Sequence, residues 1–212
     1  MISVKSFAVN YFSENTYIIY DKSKEAVIID CGCIREEERN KISEFIDEKK
    51  LTPKRYLCTH LHLDHTFGNK FILEKYGLRP EAHKADVDNL PTIEEQAKIF
   101  NLPVQVSNVE VGNFLNYGDV IKFGDSELKV LGVPGHSPGG IAFYCEKGEF
   151  VVVGDSLFSG SIGRTDLWGG DEKQLIKSIK KELFTLPENT KVYCGHGPST
   201  KVIKEKLHNP YL

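Results

Sequence analysis

Three histidines and one aspartate lie within six positions of this sequence, in the segment Thr59-His60-Leu61-His62-Leu63-Asp64-His65. Histidine is the side chain that most often binds metal ions in proteins. In an extended or looped segment alternate side chains point the same way, so His60 and His62 can share one ion. Asp64 and His65 then remain for a second ion. The segment therefore predicts one half of a two-metal site, which residues elsewhere in the chain must complete.

The other candidate ligands share a position, because each follows the end of a predicted strand. Four apolar, strand-like runs are each followed within a few residues by a residue that can bind metal: His60, His136, Asp155 and His196. Residues placed just past strand ends converge at one edge of a sheet, where a rigid scaffold holds them and loops leave room for a substrate. We therefore expect these residues to meet in the folded chain.

The seven candidates divide into two sets of three, and the seventh is expected to bind both ions. The first set is His60, His62 and His136, the second is Asp64, His65 and His196, and Asp155 is expected to bridge them. Two divalent ions held roughly 3.5 to 4 Å apart by such a bridge can share a hydroxide near neutral pH, because the ions offset its charge. Attack by this metal-bridging hydroxide needs no serine or cysteine nucleophile, and the sequence has no G-x-S-x-G motif.

The elements that must position these residues follow a β-rich pattern. Apolar runs and alternation predict strands over residues 2–9, 15–20, 26–29, 55–58, 119–123, 127–133, 141–145, 150–153 and 191–194. The first three are expected to form an antiparallel N-terminal sheet, and the four between 119 and 153 a second antiparallel sheet. The histidine segment then lies between the strand at 55–58 and a helix that ends at Gly77.

Helices are predicted on one-sided apolar patterns and on capping residues. They cover residues 35–50, a helix marked by Phe71, Ile72 and Tyr76 and closed by Gly77, a weaker stretch over 81–101, a segment that begins at Asp171, and a closing helix from Pro198 through Leu207. Pro91 interrupts the weaker stretch, after which Thr92 and Glu95 form a candidate capping box. No linker or composition shift divides the 212 residues, so a single domain over 1–212 is expected.

Composition excludes several classes of function. The chain is 40% hydrophobic and 27% charged, with a net charge of -3, and has no basic run that would suit a nucleic acid. Its first nine residues lack the pattern of a secretion signal, and no apolar run approaches the length of a membrane span. We expect neither nucleic acid nor membrane as a partner. The oligomeric state is not predicted.

The five cysteines indicate a reducing compartment. They are odd in number and lie mostly in apolar, strand-like stretches: Cys31, Cys33, Cys58, Cys145 and Cys194. Reduced thiols of this kind are typical of cytoplasmic proteins, so a cytoplasmic location is expected. The Cys31-Gly32-Cys33 pair lacks the spacing of a zinc knuckle or a thioredoxin motif, and we expect both thiols to be buried or to line a loop.

Four motifs together resemble those of the metallo-β-lactamase superfamily. They are Thr-His-Leu-His-Leu-Asp-His from Thr59, Pro-Gly-His-Ser-Pro-Gly-Gly from Pro134, Gly-Asp from Gly154, and Cys-Gly-His-Gly-Pro from Cys194. The segment at 161–166 and the last five residues are similar to those of short, single-domain glyoxalase II-like hydrolases. The resemblance implies an α+β fold, the αββα sandwich in which two mixed β-sheets are flanked by helices and the metals lie at one edge.

The resemblance also implies roles for particular residues. The seven ligand candidates match the family's dinuclear set, and Asp64 is expected to orient the hydroxide as a catalytic residue. Asp30 matches an aspartate that supports the site from behind and can orient a ligating imidazole, although an aspartate before Gly32 also suits a simple turn. Two divalent ions are implied, with zinc favoured and iron or manganese as alternatives.

The resemblance makes a small-molecule thioester the first expected substrate. Glyoxalase II enzymes hydrolyse S-lactoylglutathione to D-lactate and glutathione, and the full-length enzymes bind glutathione through basic residues of an additional C-terminal helical domain. In this sequence Arg164 is the candidate contact for a substrate carboxylate, with Lys201 and Lys204 as further candidates. The alternative for Arg164 is an ion pair within its loop, and the alternative for the lysines is a solvated helix face.

Four alternatives are weighed at this point. A glutathione persulfide dioxygenase on the same fold would use one iron at a site of the His60, His62, Asp155 type, and that family also carries a Gly-Arg-Thr-Asp loop. A β-lactamase would be expected to carry a secretion signal, and a nuclease a basic surface with a large inserted domain. A binding module without activity would have lost one or more ligands, whereas all seven are present.

Overall fold

The structure, a computed structural model, describes residues 2–212. The strands are β1 (Ser3–Val9), β2 (Glu14–Tyr20), β3 (Glu25–Ile29), β4 (Thr52–Leu57), β5 (Pro80–Ala82), β6 (Asn113–Phe114), β7 (Val120–Phe123), β8 (Ser126–Gly132), β9 (Ile141–Cys145), β10 (Phe150–Gly154), β11 (Leu157–Phe158), β12 (Ser161–Ile162), β13 (Lys191–Cys194) and β14 (Thr200–Lys201). The helices are α1 (Glu36–Glu48), α2 (Leu63–Thr66), α3 (Asn69–Tyr76), α4 (Lys84–Asn89), α5 (Ile93–Ile99), α6 (Glu172–Ser178), which continues as a π-helical turn over Ile179–Leu183, and α7 (Val202–His208). No helix within the described residues is both long and apolar enough to cross a membrane.

The strands form two six-stranded sheets. The first has the order β1-β2-β3-β4-β5-β6, with antiparallel neighbours as far as β3 and parallel neighbours from β3 onward. The second has the order β14-β13-β10-β9-β8-β7, in which β10 and β13 are parallel and the other neighbours antiparallel. A short hairpin joins β11 to β12. Both sheets are therefore mixed, as the resemblance implies.

Side-chain alternation along β3 shows how the layers form. Val27 and Ile29 face the other sheet in a core between the two sheets, where Phe143 and Val152 contribute from the second sheet. Ala26 and Ile28 point the opposite way and pack in a cluster that includes residues of α1. Because both faces are covered, the strand reads as an uninterrupted apolar run rather than as an alternating one.

The second sheet is covered on its outer face in the same manner. Leu175 of α6 and Ile179 and Leu183 of the π-helical turn pack against Val151 and Val153 of β10. These residues remove the apolar stripe of the helix from water, which is the main reason that a helix this short is stable. The result is an αββα sandwich of the α+β class.

Strand direction explains why the candidate ligands meet. The strands β3, β4 and β5 run parallel in the first sheet, and β8, β10 and β13 run in one direction in the second. Their carboxyl ends therefore lie at one edge of the sandwich. Direct backbone contacts join the sheets there, from Asn15 N–H to the Gly195 carbonyl at 2.7 Å and from Ile141 N–H to the Thr59 carbonyl at 2.9 Å.

Several local predictions are confirmed. Helix α3 ends at Gly77, which takes a left-handed conformation with φ of +69°. The capping box of Thr92 and Glu95 begins α5, and the Asp171 side chain accepts a hydrogen bond from Gln174 N–H at the start of α6. All five cysteines are buried, unpaired thiols, and the Sγ atoms of Cys31 and Cys33 lie 3.3 Å apart.

Two predicted helices are wrong in part. The stretch predicted as helical from Glu81 begins instead with strand β5, where Glu81 pairs with Leu57 and its carboxylate forms an ion pair with Arg55. The positive charge of Arg55 offsets the negative charge of Glu81, a residue type that is otherwise uncommon in strands. The closing helix begins at Val202 rather than at Pro198, because Thr200 and Lys201 extend the second sheet as β14. The sequence could not show these pairings, since both join distant segments.

Candidate metal centre

The segment that carries His60 and His62 is held mainly by side chains, in addition to the backbone contact from Ile141 of β9. Residues 58–62, between β4 and the start of α2 at Leu63, belong to no strand or helix, and the backbone bends at Thr59. Three alternate peptide N–H groups in this segment donate to buried polar side chains: Thr59 N to Asp30 Oδ1 (2.7 Å), Leu61 N to Asp86 Oδ2 (2.9 Å) and Leu63 N to Gln96 Oε1 (3.0 Å). The intervening residues, His60 and His62, turn their imidazoles to the opposite side.

The first set of candidates, His60, His62 and His136, forms a close cluster of buried rings. The ring centroids lie 4.6 to 4.8 Å apart, and His62 Nδ1 is 2.9 Å from His136 Nε2. One nitrogen from each of the three side chains lies within 4.8 Å of the others. All three are at most 4% exposed, so no bulk water surrounds these nitrogens.

Burial keeps the first set neutral. Burial, together with the neighbouring His136, lowers the pKa of His62 to about 3. Burial likewise lowers the pKa values of His60 and His136 below the ordinary value of 6.5, in part because His65 stands close by. A neutral imidazole has a free lone pair, which is the form that binds a metal ion.

The second set combines two histidines with Asp64. His196 Nε2 lies 3.1 Å from Asp64 Oδ2, and His65 Nε2 lies 3.8 Å from the same oxygen. Burial opposes a charge on each ring, but the nearby carboxylates outweigh it and raise the pKa of His196 to about 10 and that of His65 well above its ordinary value. Burial also opposes ionisation of Asp64, yet the charge of His65 and the hydrogen bond to His196 hold the pKa of Asp64 below its ordinary value.

Asp155 lies between the two sets. Its Oδ1 is 3.3 Å from His65 Nε2, and its Oδ2 is 3.4 Å from His196 Nε2 and 3.7 Å from His136 Nε2. Although burial opposes its ionisation, the surrounding histidines lower the pKa of Asp155 well below its ordinary value. The structure thus places the carboxylate where the sequence predicts a bridging ligand.

Most of the five histidines are oriented through Nδ1. His136 Nδ1–H donates to the Arg164 carbonyl at 2.7 Å, and His196 Nδ1–H donates to the Phe12 carbonyl at 2.9 Å. A carbonyl oxygen can only accept, so Nδ1 of each ring carries a proton, and Nε2 is the nitrogen turned toward the carboxylates of the site. His65 Nδ1 contacts Asp30 Oδ2 at 3.1 Å. This arrangement is typical of metal-binding histidines, whose second nitrogen usually bonds to a carbonyl or carboxylate.

The residues fit divalent metal ions. Buried polar atoms normally have hydrogen-bond partners, yet Nε2 of His60 and Nε2 of His62 have none among residues 2–212. Imidazole nitrogens with a carboxylate are a donor set that zinc and first-row transition metals accept. The buried nitrogen lone pairs therefore point to metal ions as their partners.

The comparisons with known proteins agree with this geometry. The sequence model of the metallo-beta-lactamase superfamily matches residues 9–196. The chain is 37% identical over 175 residues to the probable metallo-hydrolase YqgX of Bacillus subtilis, with 82% of this chain and 83% of that protein covered. It is 34% identical over 215 residues to the hydroxyacylglutathione hydrolase GloC of Haemophilus influenzae, with 100% and 98% covered.

The chain belongs to the metallo-β-lactamase superfamily. Among solved structures, the B3 metallo-beta-lactamase BLEG-1 superposes with a TM-score of 0.88 at 31% identity, over 99% of both chains. TTHA1623 in a di-iron-bound form gives 0.85 at 35% identity, over 98% of this chain and 100% of that one. ETHE1 from Myxococcus xanthus gives 0.79 at 27% identity, over 98% and 83%. Membership implies divalent metal ions and points to a metal-dependent hydrolase.

Asp30 holds the supporting position that the superfamily resemblance implies. Its carboxylate accepts from Thr59 N–H, from the Thr59 hydroxyl at 2.6 Å, and contacts His65 Nδ1. The backbone of Asp30 has φ of +50°, a left-handed conformation that is costly for most residues and tolerated best by glycine, asparagine and aspartate. This conformation aims the carboxylate at the histidine segment instead of closing a simple turn.

A cleft of about 280 Å³ opens onto the metal centre. Its lining includes His62, Asp64, Asp155 and His196, and its walls are largely apolar: Phe12, Leu63, Phe100, Leu167 and Trp168. Phe100 and Trp168 stack edge to face with centroids 5.8 Å apart. Such a cleft, apolar with a few convergent polar groups, is typical of a small-molecule site in enzymes.

Arg164 reaches this cleft but is already partnered. Its guanidinium forms two hydrogen bonds of 2.7 Å with the Asp166 carboxylate, and both side chains are more than half exposed. The contact it makes to the metal centre is through its carbonyl, which accepts from His136. Among residues 2–212 no other arginine or lysine lines the cleft. Its role as a substrate contact stays a prediction.

The sequence analysis did not identify three residues whose side chains form hydrogen bonds to the backbone of the histidine segment. Asp86 and Gln96 fasten the histidine segment, and Asn10 Nδ2 donates to the Asp64 carbonyl at 2.9 Å. Each belongs to a segment that reads as a polar loop or a surface helix. Asp86 and Gln96 lie on the buried faces of the two short helices on either side of Pro91. The apolar pattern of this stretch was too weak to identify those faces from the sequence.

Proposed function

We propose that this chain is a dinuclear metal-dependent thioester hydrolase that acts on a glutathione thioester such as S-lactoylglutathione. The observation that carries the proposal is the position of Asp155, whose two oxygens reach the two ligand sets at 3.3 to 3.7 Å. The similarity to the hydroxyacylglutathione hydrolase GloC, over the whole of this chain, supports the choice of substrate.

In this proposal each residue has a defined task. His60, His62 and His136 would hold one ion, Asp64, His65 and His196 the other, and Asp155 both, with zinc favoured as the metal. Two such ions supply a hydroxide nucleophile near neutral pH and polarise the thioester carbonyl, so that hydrolysis needs no covalent intermediate with the protein.

The protein's own groups would prepare the attack. The low pKa of Asp64 keeps this carboxylate ionised at neutral pH, so it can accept a hydrogen bond from the attacking water and fix its direction. The apolar walls formed by Phe100 and Trp168 would exclude bulk water from the acyl group. Hydrolysis adds water across the carbon–sulfur bond, and the products are a carboxylic acid and a free thiol.

One feature of the cleft limits the part that glutathione plays in binding. Glutathione carries two carboxylates, whereas Arg164 is the single arginine or lysine of the described residues that lines the cleft, and Asp166 already neutralises it. We therefore propose that binding depends mainly on the acyl group and the thioester. Thioesters of other thiols are expected to be hydrolysed as well.

A mononuclear-iron glutathione persulfide dioxygenase is the second candidate. The observation in its favour is the likeness to ETHE1 from Myxococcus xanthus, at 27% identity and a TM-score of 0.79. In that case one iron would be held near His60, His62 and Asp155, and the Asp64, His65 and His196 set would have no metal role. The two candidates therefore differ in metal content as well as in chemistry.

Metal analysis beside activity assays tests the proposal. Protein purified without added metal should contain two ions per chain, and should hydrolyse S-lactoylglutathione while leaving glutathione persulfide and oxygen unconsumed. A β-lactam is included in the assays because of the likeness to BLEG-1. One tightly bound iron with oxygen consumption would establish the second candidate instead.

His62→Ala tests whether the metal centre performs the reaction. This change removes a ligand from the first set and should nearly abolish turnover while leaving the fold intact, as judged by circular dichroism. His208→Ala, at an exposed position near the end of α7, is the matched control and should retain full activity. Unchanged activity in His62→Ala would remove the metal mechanism.

A further inference from the structure

A buried carboxylate on α4 joins the two loops that carry the first ligand set. Asp86 is 1% exposed, and no lysine, arginine or histidine of the described chain forms an ion pair with it. Burying a carboxylate without a counter-charge is costly unless several hydrogen bonds satisfy it. The hydrogen bonds that Asp86 accepts should therefore explain why a carboxylate is buried at this position.

The hydrogen bonds of Asp86 connect two segments that are far apart in sequence. Its Oδ2 accepts from Leu61 N–H at 2.9 Å and from the Ser137 hydroxyl at 3.2 Å, and its Oδ1 accepts from Gly139 N–H at 2.5 Å. Leu61 lies between His60 and His62 in sequence, and Ser137 directly follows His136. A single carboxylate thus spans both loops of the three-histidine set.

The packing leaves little freedom at this junction. A Cβ atom placed on Gly139 would lie 2.7 to 2.9 Å from three atoms of Asp86, which is closer than real side chains approach. Glycine is therefore needed where the loop meets the carboxylate. On the other side, Gln96 Nε2 donates to the Leu61 carbonyl at 3.0 Å, so both polar groups of that residue's backbone are fixed by side chains.

We propose that Asp86 is a positioning residue that sets the separation between the His60–His62 segment and the His136 loop, and so selectively supports the three-histidine metal site. The inference rests on the metal role proposed above for those histidines. None of the hydrogen bonds of Asp86 reaches Asp64, His65 or His196, so its effect should be confined to one of the two ions.

Substitution by asparagine isolates this role. Three donors converge on the carboxylate, and each requires an acceptor. Asparagine offers one acceptor oxygen and an NH₂ group, so in either orientation a backbone N–H of Leu61 or Gly139 would face another donor. The volume of the side chain is preserved, which separates the loss of the hydrogen bonds from the creation of a cavity.

The experiment compares Asp86→Asn with Asp88→Asn, the same chemical change at an exposed position of the same helix. Metal-free protein is titrated with zinc against a chromophoric chelator, histidine ring signals in NMR identify which set takes each ion, and unfolding by denaturant reports stability. Asp86→Asn should weaken zinc binding at the three-histidine set by about 10- to 100-fold, the usual range for residues that orient metal ligands. The other ion, and both ions of Asp88→Asn, should bind as in the wild type.

The outcomes separate this inference from the proposed function. If wild-type protein binds no zinc at the histidines, the proposed function fails and takes this inference with it. If wild type binds two ions and folded Asp86→Asn binds both within twofold of wild type, only the positioning role is overturned. A purely structural role would lower stability without weakening one ion selectively, so equal weakening of both ions also contradicts the proposal.

A milder variant decides the question if Asp86→Asn does not fold. Ser137→Ala removes one of the three hydrogen bonds and keeps the carboxylate, and it should weaken zinc at the three-histidine set by about 2- to 10-fold, the effect expected for one hydrogen bond. An unchanged zinc affinity in that variant would contradict the role of Asp86 in joining the loops.

Discussion

The two ligand sets of this metal centre overlap in sequence but differ in electrostatics. His60, His62 and His136 are buried among one another, and their pKa values lie below the ordinary value of histidine. His65 and His196 are paired with Asp64 and Asp155, and their pKa values lie above it. The first set is thus a group of neutral donors, and the second is a network of ion pairs.

Because of this difference, the two sets should release different numbers of protons when metal binds. The first set presents free lone pairs at neutral pH, so an ion can enter without displacing protons. The second set holds protons that its carboxylates stabilise, so an ion must compete with them. Asp155 belongs to both environments, which makes it the residue through which the two sites affect each other.

The largest expected effect is that of Asp155→Asn. The neutral amide removes the charge shared by both sets and takes away one of the counter-charges of His65 and His196. Hydrolysis of the thioester should fall at least about 1000-fold, equivalent to a loss of roughly 4 kcal/mol of transition-state stabilisation. Metal content should fall below two ions per chain. The matched control is Asp166→Asn at an exposed position, and activity within tenfold of wild type in Asp155→Asn would show that the sets work independently.

A smaller and more selective effect is expected for Asp30→Asn. Asparagine tolerates the left-handed backbone at this position, so the fold should persist. The change weakens the support of His65 and should reduce affinity for the ion of the second set by about 10- to 100-fold, while the three-histidine set keeps its affinity. Zinc competition titrations measure both. Asp86→Asn should weaken the ion of the three-histidine set, whereas Asp30→Asn should weaken the ion of the second set. If Asp30→Asn lost the ion of the three-histidine set instead, the division into two sets would be contradicted.

The pH dependence of metal binding should also differ between the sets. Since the pKa of His196 is about 10 and that of His62 about 3, only the second set must release a proton near pH 7. Its apparent affinity should rise by about tenfold per pH unit for each proton displaced between roughly pH 7 and 9. Calorimetric titrations in buffers of different ionisation enthalpy would detect the proton, and equal release at both sets would refute the comparison.

The same shift predicts how the metal-free protein responds to pH. The pKa of His196 is raised from 6.5 to about 10 on folding, so the stabilisation from its pairing is complete below pH 6.5. It is lost as the pH rises from there through about 10. Denaturant unfolding of the metal-free protein should therefore show falling stability over this range, less so for His196→Gln.

The smallest effect is expected at Arg164. Its ion pair with Asp166 is exposed, and such pairs contribute about 0 to 1 kcal/mol. Arg164→Ala should leave both metal ions in place and lower kcat/KM for S-lactoylglutathione by no more than about threefold, which corresponds to less than 1 kcal/mol. A much larger rise in KM, absent for a thioester without carboxylates, would show that Arg164 leaves Asp166 to bind glutathione.

Much of the fold could be predicted because its signals are local. The runs at β3 and β10 are apolar on both faces and read as buried strands, and Gly77, Thr92 and Asp171 mark helix ends by their own chemistry. Strand β5 and strand β14 could not be predicted, since each is very short and exists only through pairing with a distant strand.

The candidate metal-binding side chains, and their expected convergence, could be read from local sequence patterns. The spacing of His60, His62, Asp64 and His65 is a local property, and the recurrence of a ligand after a strand end places the remaining ones at the same edge. The superfamily resemblance then follows from the same residues. Folding adds nothing to the chemical identity of this donor set.

Only the tertiary structure decided how those donors are held and charged. The hydrogen bonds from Asp86 to Leu61, Ser137 and Gly139, and the carbonyl contacts that fix His136 and His196, join residues that are remote in sequence and leave no periodic trace in it. Charge depends on burial and on neighbouring groups, which exist only after folding. For that reason His60 and His65, five positions apart, differ in the direction in which their pKa values shift.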